Sequence, residues 1–97
     1  MKTFEDIKKN LCILKNEIKK QYKADIIGIF GSYVRNKQRK KSDLDILVKF
    51  YEGATLFEFV GLAIFLEEKL GIKVDIVPYD AIRNEIKNEI LKETVYL

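Results

Sequence analysis

The sequence predicts a small α/β domain, of the α+β kind, in which helices flank one mixed sheet of about three strands. Three observations carry that reading. Apolar residues recur at three- and four-residue spacing in the first and last segments, the period of a helix face. Three short apolar runs, bounded by Gly, Pro or charged residues, have the composition of buried strands. The two kinds of segment alternate along a chain of 97 residues, which has room for a single domain over residues 1–97.

Residues 3 to about 23 read as an amphipathic helix, with Phe4, Ile7, Leu11, Leu14, Ile18 and Tyr22 on one face. Thr3 is its N-cap, Glu5 and Asp6 occupy its first turn, and Lys19, Lys20 and Lys23 lie at its other end, as the macrodipole prefers. Ile26 to Phe30 form the first strand, which Gly31 and Ser32 end. The polar stretch 33–41 has room for a short helix. Leu44 to Phe50 form the second strand, and Gly53 marks a turn. Leu56 to Leu70 form a helix that is apolar over most of its circumference in its first part. One face suits the sheet; the remainder needs either the last helix or a partner to cover it. Gly71 caps this helix. Lys73 to Val77 form the third strand, stopped by Pro78. Asp80 is placed to cap a last helix carrying Ile82, Ile86 and Ile90.

The composition excludes several chemistries. There is no histidine, which rules out Ser-His-Asp and Cys-His catalysis and imidazole zinc sites. The single cysteine, Cys12, rules out an intrachain disulfide, and with no secretory signal the expected compartment is the reducing cytoplasm. No apolar run reaches about 18 residues, so no membrane span is expected. Carboxylates, hydroxyls, amines and backbone remain, a set suited to magnesium and phosphate chemistry.

The net charge of +3 is unevenly placed. Arg35, Lys37, Arg39, Lys40 and Lys41 put five positive charges in one stretch without an acid, and outside it 13 bases face 15 acids. A polyanion such as a triphosphate or a nucleic acid suits that stretch; so does plain solvent.

Three features converge on one chemistry. Gly31-Ser32 follows a buried strand and precedes a helix start, where backbone N–H groups and a hydroxyl can hold phosphate oxygens. Gly-Ser is also an ordinary turn. Ser42-Asp43-Leu44-Asp45 opens the second strand, and residues two apart on a strand point to the same side, so Asp43 and Asp45 present their carboxylates together. Like charges so close repel unless a cation lies between them. A solvated strand end is the plainer reading. Asp75 interrupts the third strand between Val74 and Ile76, as a third ligand or as a residue on the wet face of an edge strand. If these residues form one site, the first two strands must be antiparallel neighbours, and the third strand must lie beside Asp45.

Gly31-Ser32, ten residues, then Asp43-Leu44-Asp45 resembles the GSx10DxD signature of the nucleotidyltransferase superfamily that includes DNA polymerase beta. The segment FGSYVRNKQRKKSDLDILVKF is similar to the minimal nucleotidyltransferase (MNT) family. KVDIVPYD resembles the stretch holding that family's third acid, and ILKETVYL its C-terminal helix. One departure is Asn36, where relatives commonly have glycine; Asn tolerates the left-handed conformation. The resemblance implies a nucleotidyltransferase-like fold, with Asp43, Asp45 and Asp75 as catalytic metal ligands in a two-Mg2+ site. It implies that Gly31 and Ser32 hold the triphosphate of ATP.

The implied reaction transfers AMP to a hydroxyl with release of pyrophosphate. Family members of this size resemble antitoxins that adenylylate a HEPN (higher eukaryotes and prokaryotes nucleotide-binding) ribonuclease toxin, commonly on tyrosine. Two alternatives stand beside this reading. One is a non-catalytic antitoxin that occludes its partner. The other is a transferase acting on nucleic acid or a small molecule; nucleic acid is disfavoured because the basic stretch lacks stacking aromatics apart from Tyr33.

Overall fold

Local capping chemistry starts two of the three α-helices among the described residues. Thr3 Oγ1 accepts the Asp6 N–H at 3.1 Å while Asp6 Oδ2 accepts the Thr3 N–H at 3.3 Å, a reciprocal box that opens helix α1 (Phe4–Tyr22). Thr55 and Glu58 repeat the arrangement at the start of helix α2 (Leu56–Leu70), and Gly71 closes it in the left-handed conformation expected of it. The computed structural model describes residues 3–35 and 43–97.

Between and after these helices run strands β1 (Ala24–Phe30), β2 (Leu44–Phe50) and β3 (Val74–Pro78), a 3-10 turn (Tyr79–Ala81), helix α3 (Asn84–Glu93) and strand β4 (Val95–Tyr96). The sheet order is β3-β2-β1-β4. β1 pairs antiparallel with both β2 and β4, and β2 pairs parallel with β3. The antiparallel β1–β2 neighbours that a single site requires are therefore present, as is a strand beside Asp45.

Two expectations are corrected. Asp80 does not cap the last helix. It lies in the 3-10 turn, where its carboxylate meets Lys49 Nζ at 2.6 Å. Ile82 and Arg83 stay extended, which lets Ile82 bury itself, and the helix begins only at Asn84. The closing ILKETVYL is not all helix either. α3 ends at Glu93, and Val95 and Tyr96 add a fourth strand opposite Ile29 and Gly28. The absence of a side chain at Gly28 permits this: a Cβ there would stand 2.4 Å from the Val95 carbonyl oxygen and 2.6 Å from Thr94 Cγ2. A bulge between Ile26 and Gly28 leaves Ile27 without a partner on β2, and the Leu97 N–H donates to the Ile27 carbonyl at 3.1 Å.

Ile7, Leu11 and Ile18 of α1 and Leu62, Leu66 and Leu70 of α2 pack on one face of the sheet, against Ile26, Ile29, Leu44, Ile46, Val48, Val74 and Ile76. The two-residue period of a strand then sends Asp45, Leu47 and Lys49 of β2, and Asp75 of β3, to the opposite face. The carboxylates thus stand on the side of the sheet away from the two-helix core. No helix among the described residues is long and apolar enough to cross a membrane. The short helix expected over 33–41, and the basic residues Lys37, Arg39, Lys40 and Lys41 with Ser42, lie largely or wholly outside the described residues.

Candidate active site

Parallel register puts Asp45 directly beside Asp75, on strands about 4.8 Å apart. Antiparallel register puts Asp45 opposite Phe30, the last residue of β1, so the Gly31 turn begins beside the same carboxylate. Three segments distant in sequence meet at one end of the sheet. Asp43 lies just before β2 and is exposed. Asp75 is exposed on the edge strand β3, so its wet-face reading and its place beside Asp45 both hold.

The electrostatics report how closely the acids gather. Burial first, then the charge of Asp75 and a hydrogen bond with it, push the Asp45 carboxyl from 3.8 up to about 6. The charges of Asp43 and Glu93 add to the rise.

Gly31 has φ of +86°, and a Cβ there would stand 2.0 Å from Asp45 Oδ2. Glycine is therefore required for two reasons, a left-handed backbone and the approach of that backbone to a carboxylate. The anion that Gly31 approaches in the structure is the protein's own. The Val34 and Arg35 N–H groups both donate to the Gly31 carbonyl at 3.1 Å, forming one helical turn. Ser32, half-buried, lies at the open start of that turn.

Glu93 belongs to the same cluster, although nothing in the sequence reading singled it out. Its Oε1 accepts the Gly31 N–H at 2.7 Å, and both its oxygens accept from Arg35 Nη1 at 3.1 Å. One signal could have found it. It is the last residue of α3, and an acid at a helix C-terminus opposes the macrodipole. Arg35, the first residue of the basic stretch suited to a polyanion, is tied to this carboxylate.

The donor set is all oxygen, and a divalent cation would relieve the repulsion felt by Asp45. Among the described residues no three acidic side chains converge on one point as ligands. Magnesium commonly takes only one or two carboxylates and completes its shell with water and substrate phosphates, so the Asp45–Asp75 pair with Asp43 nearby fits it.

A model of the nucleotidyltransferase domain matches residues 11–97. A candidate protein adenylyltransferase of Methanocaldococcus jannaschii is 47% identical over the whole of both chains. The protein adenylyltransferase MntA of Thermococcus cleftensis is 39% identical over all of this chain and 98% of its own. The solved structure of a candidate minimal nucleotidyltransferase superposes with a TM-score of 0.82 at 32% identity, covering 99% of this chain and 97% of that one. A toxin–antitoxin complex with AMP-PNP shares the fold at a TM-score of 0.67 and 23% identity, over 84% of this chain and 67% of that one. With its paired aspartates beside a glycine turn on a four-stranded mixed sheet, and with relatives matched from end to end, the chain belongs to the nucleotidyltransferase domain family.

Proposed function

We propose that this protein is an antitoxin that transfers AMP from ATP to a hydroxyl of a partner toxin and thereby neutralises it. The observation that carries the reading is the register pair Asp45–Asp75 standing beside the Gly31 turn. The whole-length relatives named as protein adenylyltransferases supply the choice of a protein as acceptor. The partner we infer is a HEPN ribonuclease, modified on tyrosine.

Asp43, Asp45 and Asp75 would hold Mg2+, which when bound lowers the pKa of the attacking hydroxyl and offsets charge on the leaving group. The Gly31–Ser32 turn binds triphosphate oxygens through the Ser32 N–H and hydroxyl, Gly31 letting the backbone come close while its own N–H stays with Glu93. Asp75, at the exposed edge, accepts the hydroxyl proton on a carboxylate oxygen. The hydroxyl oxygen bonds to the α-phosphorus, the bond to the β-phosphate oxygen breaks, and pyrophosphate leaves. ATP as substrate and an exposed free thiol at Cys12 suit a reducing cytoplasm.

A partner has a surface to use. Leu56 and Phe57 at the start of α2 are 74% and 86% exposed, and Val60 and Ile64 continue the same apolar stripe. The last helix leaves this face open. The stripe also favours a second reading, in which the chain neutralises its partner by occlusion alone.

Intact-mass spectrometry separates the two. The protein encoded beside this chain is incubated with it, Mg2+ and ATP, next to an Asp43→Ala, Asp45→Ala control. A mass gain in whole AMP units that the control lacks supports transfer and identifies the acceptor. No gain, with both versions forming a stable complex that neutralises the toxin, turns the reading to occlusion.

A further inference from the structure

Glu93 sits where local physics disfavours it. It ends α3 against the helix dipole, and its charge adds to the crowd around Asp45. The surrounding structure nevertheless holds it firmly. Thr94 next to it is buried, with its hydroxyl donating to the Ile90 carbonyl at 2.7 Å, and Val95 and Tyr96 are paired onto β1. A residue held in an unfavourable place by its neighbours is a mark of a functional position.

What Glu93 touches defines the function. Its bond to the Gly31 N–H, at 2.7 Å, has the length of a charge-assisted hydrogen bond. The other side of the Gly31 peptide unit is engaged as well, because its carbonyl accepts from Val34 and Arg35. Arg35 Nη1 lies 3.1 Å from both Glu93 oxygens. A guanidinium has five N–H donors, so the contact fixes Arg35 while leaving donors for a phosphate. The first and last residues of the turn are thus both anchored to one carboxylate some sixty positions along the chain.

We propose that Glu93 is a positioning residue of the nucleotide site, which holds the Gly31–Arg35 turn in the conformation that receives the triphosphate. The inference rests on the adenylyltransferase reading for what the turn binds. It also gives the C-terminal strand a purpose: β4 ties the end of α3 to the end of β1, and so delivers Glu93 to Gly31.

The test compares the parent chain with Glu93→Ala and Glu93→Gln, each first shown to melt cooperatively. The Gly31 amide is followed by nuclear magnetic resonance in the ligand-free protein. Loss of a charge-assisted bond should speed exchange of that amide by about tenfold or more in Glu93→Ala. Glu93→Gln, which keeps an acceptor oxygen, should retain most of the protection. KM for ATP should rise by about tenfold in Glu93→Ala with a smaller change in kcat, and Glu93→Gln should recover most of it. Unchanged Gly31 exchange and unchanged KM in Glu93→Ala would overturn the proposal. So would a lowered KM, the signature of a carboxylate that merely occupies the phosphate seat and must be expelled. A parent chain that protects the Gly31 amide, and loses that protection in Glu93→Ala, yet transfers no AMP would refute the adenylyltransferase reading while upholding the Glu93 anchor.

Discussion

Replacing Asp45 by Asn should make the metal-free protein more stable while abolishing transfer. Burial and the neighbouring acids push the Asp45 carboxyl from 3.8 to about 6. A rise of that size disfavours the charged form by about 3 kcal/mol. Asp45 remains partly exposed, and solvent screening reduces the effect to on the order of 1 kcal/mol. The sign follows from linkage. Below 3.8 the carboxyl is protonated in the folded and unfolded chains alike, and the cost is absent. Between 3.8 and about 6 the folded chain retains a proton that the unfolded chain has released, so stability falls as pH rises. Above about 6 the cost is complete. Asn carries no charge at any of these pH values, and its amide can donate to Asp75. In EDTA at neutral pH the variant should melt about 4–8 °C above the parent, the shift that 1 kcal/mol produces in a domain of this size. By pH 4 most of that gap should close. Differential scanning fluorimetry of both proteins across this range measures it. A variant melting at or below the parent at neutral pH, or a gap that ignores pH, would refute the reasoning.

Other outcomes follow from the same geometry. Gly31→Ala must adopt φ near +86° with a methyl against Asp45 Oδ2, so it should lose about 1–2 kcal/mol from the backbone alone and lose transfer with it; melting and AMP incorporation check both. Phe57→Asp with Val60→Asp should leave the melting temperature nearly unchanged, because both side chains are already exposed, yet prevent co-purification with the proposed partner toxin. Thr55→Ala removes the α2 cap and should cost about 1 kcal/mol in urea unfolding with no effect on KM for ATP. Lys49→Ala breaks an exposed pair with Asp80 and should change stability by less than about 1 kcal/mol, an effect that added salt removes.

Much of this molecule is written in local pattern. The α1 face from Phe4 to Tyr22, the Thr3 cap, the bounds of α2 and of β2, and the Gly71 stop each follow from residues within a few positions of one another. The spacing of Gly31-Ser32 and Asp43-Leu44-Asp45 is equally local, because it needs only a strand end, a turn and a strand start. Even the pairing of β1 with β2, and the need for β3 beside Asp45, follow from requiring one site.

What sequence could not supply is contact between segments far apart in the chain. Val95 and Tyr96 look helical beside Ile90 and Leu91; they become a strand because Gly28, nearly seventy positions earlier, leaves room for their backbone. Asp80 has the composition of a helix cap, and loses that place because Ile82 gains more by burial in an extended segment. The α2 stripe reads from sequence either as core or as interface, and only the tertiary packing shows that Leu56, Phe57, Val60 and Ile64 are left exposed. Glu93 is the sharpest instance. By itself it is an acid at the wrong end of a helix, and it acquires meaning only when β4 brings it to the Gly31 N–H and Arg35. Sequence by itself determined the types of the first two long helices and the first three strands, and the GSx10DxD spacing, because those depend on near neighbours and on side-chain period. Tertiary structure alone decided the fourth strand, the burial and the neighbouring Asp75 that raise Asp45, and the anchor on the Gly31 turn, because each depends on distances that no local pattern encodes.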